Sequence, residues 1–167
     1  VDISHISSKL NNIFSEIVKD KSGNLWIAAF NEGLSMIDLN RPLIQNYSFP
    51  SIREKTGFVT NIKNIYEDKD GDLWIDQNRW GVGIFIPKSN KLLFCTDIPS
   101  LKNINNLKNI SCITSVSSID EIWLGSEYYS EICRLKKNKD RIEFLGTLKL
   151  SDFVENPGFP RFFYEDS

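Results

Sequence analysis

Three acidic residues, Glu32, Asp76 and Glu127, stand a few positions downstream of three tryptophans, Trp26, Trp74 and Trp123. Each lies in a short polar or aromatic stretch. The first holds Asn31 and Glu32, the second Asp76, Asn78, Arg79 and Trp80, and the third Glu127, Tyr128 and Tyr129. Ring faces next to amides, carboxylates and a guanidinium suit a sugar, which offers CH-rich faces for stacking and hydroxyls for directed hydrogen bonds. Arg79 beside Trp80 adds the bidentate geometry that favours an acidic sugar or a free carboxylate. The same carboxylates could serve glycoside hydrolysis, which needs two of them about 5 to 9 Å apart. Sialidase chemistry would want clustered arginines, and Arg41, Arg53, Arg79, Arg134, Arg141 and Arg161 show no grouping along the chain. Taken singly, each residue also fits a solvated loop. As a set at equivalent places they form the candidate ligand-binding group, with no catalytic residue assigned.

The elements that must carry these stretches are set by a repeat. Asp20, Gly23 and Trp26 recur as Asp68, Gly71 and Trp74, and the tryptophan recurs again as Trp123, at spacings of 48 and 49 residues. Upstream, Ile17, Ile65 and Ile113 keep the same register, and Phe163 continues it. Asp166 follows Tyr164 and Glu165 as Asp68 follows Tyr66 and Glu67, so a fourth copy begins near the end of the chain. A fixed period of this length is the mark of a repeat architecture.

Within each copy the pattern is one of short strands. Residues 13–19, 25–30, 33–39 and 44–49 read as four strands in the first copy; 61–67, 73–76, 82–87 and 92–96 in the second; 111–116, 121–125, 131–135 and 141–148 in the third. A helical turn fits only between Pro99 and Lys108. Four antiparallel strands repeated at this period form a β-propeller blade, because stacking blades about an axis covers both apolar faces of each sheet. The predicted fold is therefore all-β: a propeller fragment of three four-stranded blades, at about 10–50, 58–98 and 107–149, plus a fourth from about 159. The aspartates can accept bonds from turn amides, and Gly23 and Gly71 can supply positive φ. The tryptophans then fill seams between blades and act as framework. In the third copy Val116 or Ser117 stands in place of the aspartate and Asp120 in place of glycine, so that hairpin need not keep the same turn.

Composition removes other classes. The 167 residues are 41% hydrophobic and 25% charged with a net charge of −2, an ordinary globular balance with no electrostatic footprint for nucleic acid. No apolar run reaches the roughly 18 residues of a membrane helix, and no signal peptide precedes Val1. Cys95, Cys112 and Cys133 lack metal-ligand spacing and read as small buried residues on strands. Nothing in the sequence calls for a metal or a cofactor.

The isoleucine, aspartate, glycine and tryptophan series, followed by Gly33 to Asp38, resembles the two-component regulator propeller repeat. WD40, kelch and sialidase Asp-box repeats fit less well. The resemblance implies the periplasmic sensor half of a Bacteroides-type hybrid histidine kinase, membrane-anchored, dimeric in the parent protein, and responsive to a glycan or related nutrient cue. It implies no enzyme activity for this segment. No kinase element is present: His5 lies outside any histidine-box context, and there is no nucleotide loop. Three and a half blades do not close a propeller, so the expected partners are the remaining blades of a longer array or a second copy of the arc, together with an oligosaccharide. A propeller scaffold for protein–protein interaction is the alternative, and a propeller glycosidase or lyase a more distant one.

Overall fold

The tight turn that joins the first two strands of each repeat is where local sequence chemistry builds the fold. In the computed structural model, which describes residues 14–29, 33–40, 43–47, 62–77, 81–138 and 141–163, the Asp20 carboxylate accepts bonds from the Asn24 amide (2.8 Å), the Asn24 side chain (2.9 Å) and the Trp26 indole N–H (2.8 Å). Gly23 closes the turn by donating to Asp20 O at 2.9 Å with φ +89°, a conformation that disfavours any residue with a Cβ. The second repeat copies this. Asp68 accepts from the Asp70 and Asp72 amides (2.9 and 3.1 Å) and from the Trp74 indole (2.9 Å), and Gly71 has φ +82°. One carboxylate thus shapes the turn and fixes the tryptophan ring that follows.

The third turn is one residue longer, since Ile113 pairs with Leu124 where Ile17 pairs with Ile27 and Ile65 with Ile75, and its left-handed residue comes one position after the amide donor. Ile119 donates to Val116 O at 3.3 Å, and Asp120 takes the left-handed conformation with φ +56°. The indole of Trp123 is held instead by Glu121 at 2.9 Å, and Arg134 clamps that carboxylate through two bonds of 2.7 and 2.6 Å. An aspartate tolerates positive φ better than most residues with a side chain, so this longer turn closes without a glycine.

These turns organise three four-stranded antiparallel sheets. The first joins β1 (Phe14–Lys19), β2 (Leu25–Ala29), β3 (Gly33–Asp38) and β4 (Leu43–Tyr47). The second joins β5 (Ile62–Glu67), β6 (Leu73–Gln77), β7 (Gly81–Ile86) and β8 (Lys91–Phe94). The third joins β9 (Ile110–Val116), β10 (Glu121–Ser126), β11 (Glu131–Asn138) and β12 (Arg141–Lys149). Each is a simple meander, and the first strands β1, β5 and β9 lie side by side. The chain is a fragment of a β-propeller.

Side chains alternate across a strand, so the middle blade is apolar on both faces. One face sends Leu73, Ile75 and Phe85 against Trp26, Leu34 and Tyr47 of the first blade. There Trp26, Tyr47 and Phe85 form an aromatic triad with centroids 4.8 to 6.0 Å apart. The other face sends Trp74, Val82 and Ile84 against Leu107, Ile110, Ile122 and Leu124 of the third. Trp26 and Trp74 are buried in these two seams. Ile17 and Trp123 occupy the matching positions on the outer faces of the arc. Ile17 is 57% exposed where Ile65 is 4% exposed, and Trp123 is half-buried, its ring meeting Phe163 edge-on at 6.4 Å. Residues 159–163 run beside the third blade as the start of a fourth: Ser111 Oγ donates to Pro160 O, and Pro160 packs against Gly125.

Short 3-10 turns fill the connections. The one at Asn105–Leu107 lies where the sequence allowed a helical turn, and others occur at Pro87–Ser89, Cys95–Asp97 and Leu150–Asp152. Cys95 therefore sits in a connection rather than on a strand. It is buried, like Cys112 and Cys133, and all three thiols are free. Burial raises the Cys95 thiol to about 12.

Candidate functional site

Each blade has a β-bulge at the same place in its first strand. The register skips Ser15 between Phe14 and Glu16, Lys63 between Ile62 and Asn64, and Ser111 between Ile110 and Cys112. A bulge leaves one residue unpaired and re-aims its side chain. Here it points at the next blade. Ser15 Oγ donates to Ile62 O and Ser111 Oγ to Pro160 O, which are equivalent positions one repeat on. The middle blade replaces this serine with Lys63, whose ammonium reaches Glu127 of the third blade and meets both carboxylate oxygens at 3.2 Å.

The strand opposite the bulge changes in the same blade. Ala28 and Ala29 close β2, and Gly125 and Ser126 close β10, whereas Asp76 and Gln77 close β6. Small residues fit this crowded place. A Cβ added to Gly125 would come within 2.4 Å of Cys112 Sγ and 2.9 Å of Pro160. The middle blade puts a carboxylate there and buries it to 1% exposure.

Asp76 is poorly served by its surroundings. Asn64 donates to one oxygen at 3.3 Å, while the other oxygen has no hydrogen-bond partner. Burial raises its carboxyl to about 7, against the opposing pull of Lys63, the Asn64 bond and the Ile110 amide, and with the nearby Glu127 charge adding to the rise. Gln77, also 1% exposed, faces the other seam with neither amide atom bonded. Unsatisfied buried polar atoms each cost on the order of 1–3 kcal/mol, so this end of the middle blade is held against its own stability.

The candidate residues divide accordingly. Asp76 and Glu127 converge at the seam between the second and third blades, where Lys63 is bonded to Glu127 and its charge also acts on Asp76. Asp76 belongs to β6, which extends to Gln77, and does not sit in an open loop. Tyr128 and Tyr129 follow Glu127 and are 60% and 51% exposed, their amides donating to Ser126 Oγ at 3.4 and 3.2 Å. Asn31, Glu32, Asn78, Arg79 and Trp80 lie outside the described residues. Lys63 escaped the sequence reading, although the alignment of Ser15, Lys63 and Ser111 carried the signal.

The turn end of the same seam is built differently. Lys137 of β11, 7% exposed, enters the turn of the middle blade and contacts Asp68, Asp72 and Asp70 at 2.7, 2.6 and 3.1 Å. Burial opposes the Asp68 anion, but the bonds from Lys137 and Trp74 outweigh it and hold the carboxyl below its usual value. The Lys137 ammonium is raised, burial being outweighed by its three carboxylates. A cavity of about 110 Å³ lies beside it, lined by Asp68, Ser115, Asp120 and Glu121 among others. Lys69 crosses to Asp120 at 2.6 Å, as Lys21 crosses to Asp68 O at 2.8 Å. Among the described residues no group of histidine, cysteine and acidic side chains is arranged to hold a metal ion.

Residues 56–78 match the family model described as two component regulator propeller. No curated protein matches the chain by sequence. Among solved structures the chain is similar to the extracellular domain described as that of a hybrid two component system, BT4673, from B. thetaiotaomicron, at 16% identity and a TM-score of 0.61 over 84% of this chain. It is similar to the corresponding domain of BT3049 from the same organism at 19% identity and a TM-score of 0.56 over 90% of this chain. It spans 18% of each of those chains. A third similar structure is PorZ, a surface component of the type-IX secretion system of Porphyromonas gingivalis, at 17% identity and a TM-score of 0.60, over 89% of this chain and 21% of that one. No helix among the described residues is long and apolar enough to cross a membrane.

Proposed function

We propose that this chain is part of the signal-input region of a periplasmic, membrane-anchored sensor histidine kinase, that it binds a glycan or related nutrient cue, and that it performs no chemistry on it. The match of residues 56–78 to the regulator propeller model and the likeness to extracellular domains of hybrid two component systems support the class. The observation that carries ligand binding is Asp76, a buried carboxyl with an unpaired oxygen at a place where the sister blades have Ala28 and Gly125. A residue that costs stability in one repeat alone is a functional candidate, because the framework does not need it. The ligand-facing end carries Asp76, Glu127, Tyr128 and Tyr129, and by sequence equivalence Asn31, Glu32, Asn78, Arg79 and Trp80.

The remaining blades of the parent protein would cover Ile17 and Trp123 at the two outer faces, and the parent would signal as a dimer. The test is titration of the whole ectodomain with a panel of oligosaccharides by calorimetry, alongside an assay for newly released reducing ends. Saturable binding without turnover, weakened by Trp80→Ala at unchanged melting temperature, is the expected result. Release of reducing ends would make the protein an enzyme, and absence of binding across the panel would favour a protein-interaction scaffold.

A further inference from the structure

The Lys63 site is one positive charge short. Two carboxylates, Asp76 and Glu127, share a single ammonium, which bonds only to Glu127 although it lies close enough for its charge to act on Asp76. Among the described residues Lys137 and Arg134, the other cations of this seam with ion pairs to buried carboxylates, are committed elsewhere, Lys137 to the turn end and Arg134 to Glu121. The deficit is specific to this blade. Its two sister bulges carry serine opposite alanine or glycine, and the one carboxylate beside them among the described residues, Glu16, is met by the Ile65 amide. Glu127 is partly open, with 24% of its side chain exposed, and two exposed tyrosine rings follow it in the chain. Carboxylate and aromatic faces together recognise organic cations.

We propose that Glu127, with Tyr128 and Tyr129 beside it, receives the ammonium group of an amine-bearing ligand, and that Lys63 then passes to the unpaired oxygen of Asp76. Occupancy brings the site to two cations and two anions and satisfies the orphan acceptor. Lys63 is the moving part: it sits on a bulge, outside the ladder, and its flexible stem can serve either carboxylate. The shift would pull on the seam between two blades, so binding is felt in blade packing. In the empty site the Asp76 carboxyl takes up a proton instead, consistent with its rise to about 7. Affinity for the amine should therefore increase as pH rises through 7. This inference rests on the reading of this end as ligand-facing and adds the ligand's chemical class.

The test is an NMR titration of the whole chain with two matched pairs, 6-amino-1-hexanol against 1,6-hexanediol and glucosamine against N-acetylglucosamine, following the Glu127 to Tyr129 amides. At least one amine should bind about tenfold or more tightly than its neutral partner, a difference of about 1.4 kcal/mol. A larger gap in the sugar pair assigns the amine to an amino sugar, and a larger gap in the aliphatic pair assigns it to a free amine; either supports the proposal. Glu127→Gln should abolish the preference. Lys63→Ser, which restores the sister-blade residue, should strengthen amine binding, an outcome that a purely structural role for Lys63 would not produce. Equal binding within both pairs, no binding of either amine, or tighter binding of 6-hydroxyhexanoate than of 6-amino-1-hexanol would overturn the inference. The first of these leaves the sensor reading intact, because neutral-sugar binding at these amides would still be seen.

Discussion

Asp68 and Asp76 are buried carboxylates at opposite ends of the same hairpin, and the protein treats them in opposite ways. Asp68 accepts from two backbone amides, the Trp74 indole and Lys137, and its carboxyl is held below the usual range. Asp76 accepts one long bond from Asn64, keeps one oxygen bare, and is raised to about 7. The difference follows from what each position shares with its sisters. The turn aspartate does the same work in the first blade through Asp20, so it is framework. The β6 carboxylate has no counterpart in Ala28 or Gly125, so it marks the end where blade identity matters.

The sharpest way to break this comparison is to remove the framework itself. Trp74→Ala should cost roughly 3–5 kcal/mol in urea unfolding, since the ring is fully buried between two blades. Trp123→Ala should cost clearly less because its ring is only partly buried. Equal losses would mean that seam burial does not set the role of these residues.

Next in size is the turn-end ion cluster. Lys137→Met leaves buried carboxylates without their cation and should destabilise by about 3 kcal/mol. The sign of the pH dependence follows from Asp68. Its native pKa is lowered, so its contribution is present above the unfolded value and is lost as pH falls through the native one. Wild-type stability should therefore drop on acidification below about pH 4, and Asp68→Asn should flatten that limb in a melting series.

Asp76 should give the opposite result. Its native pKa is raised from 3.8 to about 7, so the native state holds a proton that the unfolded state has released, and stability falls as pH climbs from about 4 to 7. Asp76→Ala should raise stability by on the order of 1–3 kcal/mol at pH 8, with a smaller gain at pH 5. A loss of stability at pH 8 would show that Asp76 is framework after all.

The smallest effects belong to the bulge residues. Ser15→Ala removes one bond between blades and should cost about 1 kcal/mol, measured by denaturant midpoint. Lys63→Ala should cost less, because its ion pair is partly solvent-screened.

Much of the framework is legible because its chemistry is local. Aspartate, glycine and tryptophan at offsets of three and six encode a carboxylate that bonds its own turn and its own indole, and the copies repeat that logic. The third turn, where the aspartate and glycine are lost, does differ: it is one residue longer, Asp120 takes the left-handed position after the turn's amide donor, and the indole acceptor becomes Glu121. The site was half legible. Asp76 and Glu127 were visible as carboxylates after tryptophans, but Lys63 was hidden in a strand pattern, since a bulge does not disturb hydrophobic alternation enough to be read. Lys137 was visible only as part of a short basic run. Its partner Asp68 is 69 residues away, and nothing local links them.

By itself, then, the amino-acid sequence determined the blades, their turns and the tryptophan positions, because each depends on hydrogen bonds and burial within one repeat. Tertiary structure alone decided which groups meet across a seam. Stacking of the sheets places the bulge of one blade against the first strand of the next, and that geometry turns Lys63, Asp76 and Glu127 into one site while Lys137 seals the opposite end.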